Sequence, residues 1–526
     1  MKRGEPRASS RWRMVGKGVL VLVVLAAIAH SAAAVMLGRR VEARLEAIRA
    51  VGYPVSVGEL AGPPVADDQN AAVLYREIFR TLPASGGSFG GQTSDPSAPR
   101  PVILAWAPEP SAAAQRDAVV LGDYMDSERR AQEPELYEQA RRAVARYPEI
   151  PPLAVQAVAR PRCRFPMNWD DAAGALFPHL ERMHSLARFL AAKAVLDARE
   201  SRMPEAAQAV TLTFQVSESL RGGPSLIGYL PDQITLYGQL VRVDGVRIGA
   251  AALREVSEWG DIAEEDARRL ADVLAEIDLH PGFASAIAGE RAMGIWAFDV
   301  LRREGVGELA SPGRHRASAL LRLAATYPWR PLLYADQLAY LDLMNRDLAA
   351  SERRSLREAL SEFAAVDQDA QELPRYAVLS RILLPEYGRA RMNVERAHAA
   401  LAGSRALLGL IVYRQRFGAY PESLAELRQR LGWEVPDDPF SEKPLAYRRD
   451  GAGFLVYSVG PDMKDDSGRP TEDLRRRIGA GVLLRDRRSG ATTPAPEAIK
   501  RAAEPGAEPG DDTGAGDFIW RRVRRP

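Results

Sequence analysis

Three carboxylates crowd one short loop near the C-terminal end of this 526-residue chain, Asp462, Asp465 and Asp466 in Val459-Gly-Pro-Asp-Met-Lys-Asp-Asp-Ser-Gly468. Their repulsion is relieved by full solvation or by an oxygen-coordinated hard cation. Other residue types that do chemistry are scattered. Gly86-Gly-Ser88-Phe-Gly90 spells a nucleophile elbow, but it lies in a Gly/Ser/Pro break and not between a strand and a helix. His179 and His184 stand five apart, about 140° round a helix, so they do not share a face as paired metal ligands on one helix must. The paired carboxylates Asp170-Asp171 and Glu264-Glu265-Asp266 suit general acid–base work, yet acids at a helix start serve the macrodipole equally well. Cys163 has basic neighbours that would lower a thiol pKa, and no histidine can be set beside it from sequence. As the only cysteine it excludes an intrachain disulfide and every multi-cysteine zinc site. Gly305-Val-Gly307 is an incomplete dinucleotide fingerprint, and no phosphate-binding loop of the GxxxxGK[ST] type occurs.

The elements that must position these groups begin with an apolar run from Gly18 to Leu37, long enough to cross a bilayer core of about 30 Å. Basic residues precede it (Arg11, Arg13, Lys17), while the arginines after it are diluted by Glu42 and Glu46, so the charge bias keeps residues 1–17 cytoplasmic and exports the rest. Cleavage after Ala34, as in a signal peptide, is the competing reading, and a buried soluble helix is a third. From 41 to 393 the pattern is mainly helical, broken at 84–101 by a flexible excursion. Leu180, Met183, Ala187, Leu190 and Ala194 predict one helix, and Ala207, Val210, Phe214 and Val216 a second, packed as an antiparallel hairpin. Asp261-Ile-Ala-Glu264 reads as a capping box opening another helix.

From 394 to 526 the character changes. An apolar and small-residue stripe runs through Leu401, Leu408 and Val412 into Tyr413-Arg-Gln-Arg-Phe-Gly418, where the glycine caps the helix, followed by Tyr420-Pro421. A proline-punctuated loop, Asp438-Pro439-Phe440 to Pro444, leads to Tyr447 in a first strand. Asp450-Gly451 turns the chain into a second strand, Gly453 to Ser458, which delivers Gly460 and the acidic loop. This order resembles the globular domain of the major, G-type pseudopilin of type II secretion systems, on Tyr413, Gly418, Tyr420 and Pro421, then Asp438, Pro439, Phe440, Pro444 and Tyr447, then Phe454, Tyr457, Ser458, Gly460 and Asp462. The resemblance implies a long helix packed on a small antiparallel sheet, a calcium loop, and a return of Asp517 to that loop from the closing segment. Residues 485–516 interrupt this ending with a charged, Pro/Gly/Ala-rich insertion expected to be disordered. The membrane helix here lies about 360 residues upstream of the matching module, and Gly16-Lys-Gly18 lacks the glutamate of a prepilin-peptidase site.

Seventy-one Lys and Arg against 69 Asp and Glu give a net charge of +2, without the broad basic field that nonspecific nucleic-acid binding needs. The expected fold is mainly α: a transmembrane helix over 18–38, a large helical domain and a small C-terminal α+β module. The expected protein is a single-pass, periplasm-facing structural or interaction protein of the bacterial inner membrane, with calcium as its cofactor and envelope or secretion-system proteins as partners. Its rivals are an exported hydrolase built around Asp170, Asp171, His179 and His184, and a helical adaptor.

Overall fold

The computed structural model describes residues 8–61, 64–84, 110–167, 177–221, 223–225, 228–230, 235–304, 327–451, 453–465, 467–468 and 518–522. The protein is mostly helical, with a short antiparallel sheet near its C-terminal end. Contacts divide it into two units, one made of residues 1–57, 291–346 and 366–384, the other of 58–290, 347–365 and 385–526.

The first unit opens with α1 (Ala8–Ala50), an unbroken helix of 43 residues, about 65 Å long at 1.5 Å per residue. It does not stop at the expected anchor boundary near residue 38, because no proline interrupts it and Gly38 is used for close approach. A Cβ there would lie 3.3 Å from the ring of Tyr334. The two halves of α1 differ. Apolar side chains from Val15 to Met36 stand open, Leu22 at 67% exposure, whereas Val41, Leu45 and Ile48 at helical spacing are buried. Within the open half, His30 Nε2 donates to the carbonyl of Tyr327 at 3.0 Å, and Ser31 shares a hydrogen with the Tyr327 hydroxyl at 2.5 Å. Tyr327 stands just before the segment of α13 (Arg330–Ser351) assigned to this unit. Within the same unit, buried Asp336 accepts from the backbone amides of Leu379 and Ser380, and so caps the short helix α15 (Val378–Leu383) from outside.

In the second unit the sequence-predicted hairpin is present as α8 (Pro178–Arg199) and α9 (Met203–Glu218), with Pro204 in the first turn of α9. Both pack on α10 (Leu236–Trp259), and α10 packs on α16 (Tyr387–Phe417), a 31-residue helix that runs straight through position 393. Gly249 of α10 is small because the ring of Phe214 fills the space, 2.9 Å from where a Cβ would stand. Ahead of the hairpin, Asn70 Oδ1 accepts from the amides of Ala72 and Arg164, capping α3 (Ala71–Ile78) and clamping it to the segment carrying buried Cys163. Helix α11 (Glu264–Ala275) forms where expected, but the capping box does not. Its N-cap is Ala263, and Glu264 instead pairs with Arg268 and with Arg416 of α16. Those guanidinium hydrogen bonds hold its pKa down at about 2.

After a two-stranded antiparallel ribbon of β1 (Gly223–Ser225) and β2 (Gly228–Leu230), the C-terminal part has α17 (Ala425–Leu431), β3 (Ala446–Asp450), β4 (Gly453–Ser458) and β5 (Phe518–Arg522), with sheet order β3-β4-β5, antiparallel throughout. β4 is buried along its length and packs on α16, as does β5. The third strand goes beyond the two that the sequence pattern predicts. It places Phe518 in register with Ser458, beyond the interrupting insertion.

One buried carboxylate in α8 sets a pH dependence. Burial pushes Glu181 up to about 7, against the attraction of Arg182. The native state therefore holds this proton more tightly than the unfolded chain, so the contribution is fully present below about pH 4.5 and is lost as pH rises toward 7. Glu181→Gln should raise stability at pH 8 by roughly 1–3 kcal/mol and leave it unchanged near pH 4, as read by urea midpoints at the two pH values. An equal effect at both would contradict the assignment.

Candidate functional site

The C-terminal motif residues are held together by one buried side chain. Asp438 is 1% exposed, and its carboxylate accepts from the amides of Phe440 (3.2 Å) and Val459 (3.1 Å) and from the hydroxyls of Ser441 (3.0 Å) and Ser458 (2.7 Å). It thereby ties the proline loop to the exit of β4. Phe440, which follows Pro439, then inserts beside Leu356 and Ala399, with Val459 and Met463 packed against them. Gly418 caps α16 in the left-handed region at φ 78°, Tyr420 packs edge-on against Phe454 at 4.8 Å, and the Tyr447 hydroxyl donates to the carbonyl of Pro421 at 2.7 Å.

The acidic loop leaves this knot at Gly460, itself at φ 74°, with Met463, Ser467 and Gly468 also at positive φ. Asp462 accepts from the amide of Lys464, while Asp465 accepts from the Tyr457 hydroxyl at 3.1 Å and the Ser467 amide at 2.7 Å. The other two carboxylates of the expected calcium site, Asp466 and Asp517, lie outside the described residues, as do Asp170, Asp171, the Gly86–Gly90 motif, Gly305, Gly307 and the 485–516 insertion. Two carboxylates with carbonyls and water fall within the oxygen chemistry of Ca2+ but do not by themselves fill its six to eight positions. The histidines of the hydrolase alternative do not meet each other: His179 stacks on Phe165 at 4.6 Å, and His184 Nε2 lies 2.6 Å from Asp244 Oδ2.

A different cluster, marked by no sequence motif, stands where α12 (His280–Glu304) begins beside α16. Glu395, 2% exposed, faces two imidazoles. His280 Nε2 is 2.7 Å from Glu395 Oε1, and His398 Nδ1 is 3.5 Å from Glu395 Oε2. Arg391 Nε donates to Glu395 Oε1 at 2.6 Å. Burial raises the pKa of Glu395, but the hydrogen bonds from His280 and His398 outweigh it and hold the carboxylate well below its ordinary value. Burial lowers the pKa of His398, partly offset by its bond to Glu395. The rings lie 4.3 Å apart, tilted by 62°. On their far sides, His280 Nδ1 is 3.6 Å and His398 Nε2 3.9 Å from Asp278 Oδ1.

The turn carrying Asp278 is fixed from behind by α10. Buried Arg242 forms a two-pronged pair with Glu218 (2.9 and 2.8 Å) and donates to the carbonyl of Asp278 at 3.0 Å, while Gln239 donates to that of Leu279 at 2.9 Å. Gly282 lets these side chains approach closely, since a Cβ would stand 2.6 Å from Gln239 Oε1 and 2.7 Å from Arg242 Nη1 and would displace both ends. Only short local signals exist in sequence, a Glu-x-x-His at 395–398 and an Asp-x-His at 278–280. The two halves are 115 residues apart, and no spacing rule joins them.

Comparison with known proteins gives no match, whether to family models, curated proteins or solved structures.

Asp438→Ala would leave two amides and two hydroxyls without their acceptor. It should lower stability by about 3 kcal/mol or more, measured as a shift of the urea midpoint. A shift below about 1 kcal/mol would show that the knot is not what closes the module.

Proposed function

We propose that the protein is a single-pass membrane-anchored structural or interaction protein, N-terminus inside, that carries a pseudopilin-like, calcium-stabilised module on a helical body facing the periplasm. The observation that carries the reading is the bare apolar surface of α1. Its hydrophobic window has a mean hydropathy of 2.5 and none of it is buried, a surface whose natural solvent is lipid. The basic residues before it favour the N-in orientation. The helix-to-sheet order from α16 through Gly418, Asp438 and β3-β4-β5 supports the pseudopilin-like module. The bends of the 460–468 loop and its carboxylates support a hard cation there, and binding to the native state alone adds stability by mass action. Such a module would dock to envelope or secretion-system proteins.

Two outcomes test this. The chain should stay with membranes through alkaline extraction, and deleting residues 15–37 should release it. The full-length chain should melt higher in calcium than in a calcium-selective chelator, with Asp462→Ala removing the difference. Release of the intact chain by alkali, or identical melting with and without calcium, would contradict the corresponding part.

A further inference from the structure

The start of α12 and the middle of α16, both within the second unit, bring together donors that neither the anchor nor the C-terminal module uses. Their protonation follows from their partners. A backbone amide can only donate, and the amide of Leu279 points to His398 Nε2 at 3.2 Å, so that nitrogen holds a lone pair and the ring proton sits on Nδ1, toward Glu395. An ionised carboxylate can only accept, so His280 carries its proton on Nε2, toward Glu395 at 2.7 Å. In the neutral ring this leaves the Nδ1 lone pair on the side of Asp278. Glu395 thus orients both rings through their outer nitrogens, which is how buried carboxylates orient metal-ligating histidines.

The inner atoms converge. Asp278, His280 and His398 each offer one ligand atom, and these lie within 4.8 Å of one another. In a tetrahedral zinc site, ligands about 2.0–2.1 Å from the metal stand about 3.4 Å apart. The separations from Asp278 Oδ1, 3.6 and 3.9 Å, need to close by only a few tenths of an ångström. Asp278 is 62% exposed and His280 37%, so an ion reaches the site from solvent without opening the core.

We propose that Asp278, His280 and His398 bind a divalent transition-metal ion of the zinc type, with Glu395 as the residue that positions both histidines. Two imidazole nitrogens and one carboxylate oxygen select such a cation over Ca2+ or Mg2+, which prefer all-oxygen shells. Three protein ligands leave a fourth position for water or a partner's side chain. On binding, the metal takes over the His398 lone pair from the Leu279 amide, and Asp278 Oδ1 keeps the His280 amide that it accepts at 3.0 Å.

The test uses the full-length chain, free of any histidine tag, in detergent or nanodiscs. Equilibrium dialysis against Zn2+ should load one ion per chain, not displaced by millimolar Ca2+ or Mg2+. Replacing zinc with Co2+ should give the intense visible absorption of a four-coordinate centre. Asp278→Asn, at an exposed position that leaves His280, Arg391 and Glu395 in place, should weaken zinc binding tenfold or more without changing the melting temperature of the metal-free protein, and His280→Gln, which also removes a hydrogen bond to buried Glu395, should weaken it at least as much. No stoichiometric zinc, zinc displaced equally by Ca2+, or an affinity unmoved by both substitutions would overturn the proposal. The C-terminal calcium reading is separable, because Asp462→Ala should leave zinc binding unchanged.

Discussion

Arg391 has no exposed side-chain surface, and a buried guanidinium is tolerated only when its donors are answered. Here Nε meets Glu395, Nη1 the carbonyl of Ser351 and Nη2 the carbonyl of Arg353. One residue thus ties α16 to the end of α13 and neutralises the buried carboxylate that the two histidines need. Removing either charge would strand the other, so the pair specifies an arrangement more than it adds stability. From it the order propagates along α16: one turn on to His398, at Ala399 to the pocket that receives Phe440, and at the end to Gly418 and the sheet.

The same helix therefore serves two regions of different chemistry. Near its middle, imidazoles and a carboxylate offer nitrogen-rich coordination, with a buried carboxylate behind them. At its C-terminal end it supports a knot in which Asp438 satisfies loop amides and hydroxyls, and from which the acidic loop projects. Neither depends on the chain's single cysteine, which is buried beside the α3 clamp.

Much of this was legible in sequence wherever the signal is local. The α8–α9 hairpin, the Gly418 cap, the Asp450-Gly451 turn and the apolar run of α1 each follow from residues within one or two turns of each other, and each is present. The capping box at Asp261 does not form because the helix begins at Glu264 with Ala263 as its N-cap, which puts Glu264 at the first helical position, where it pairs with Arg268 and with Arg416, 152 residues away. Asp438 was recognisable as a motif member, but its role as acceptor of four hydrogen bonds depends on β4 returning beside it. The histidine cluster was illegible for the same reason, since His280 and Glu395 meet only after α10 and α16 have packed. The extra strand β5 lies past the interrupting insertion, and no pairing signal survives across that length of chain.

The central claim is that the Arg391–Glu395 pair fixes opposite tautomers in two facing histidines and turns their lone pairs toward Asp278. Long-range 1H–15N correlation on histidine-labelled, metal-free protein at neutral pH reads this directly, with His280→Gln and His398→Gln supplying the assignments. The account predicts a proton on Nε2 of His280 and on Nδ1 of His398, with Nε2 of His398 bare. A proton on Nε2 of His398, or doubly protonated rings at both positions, would contradict it.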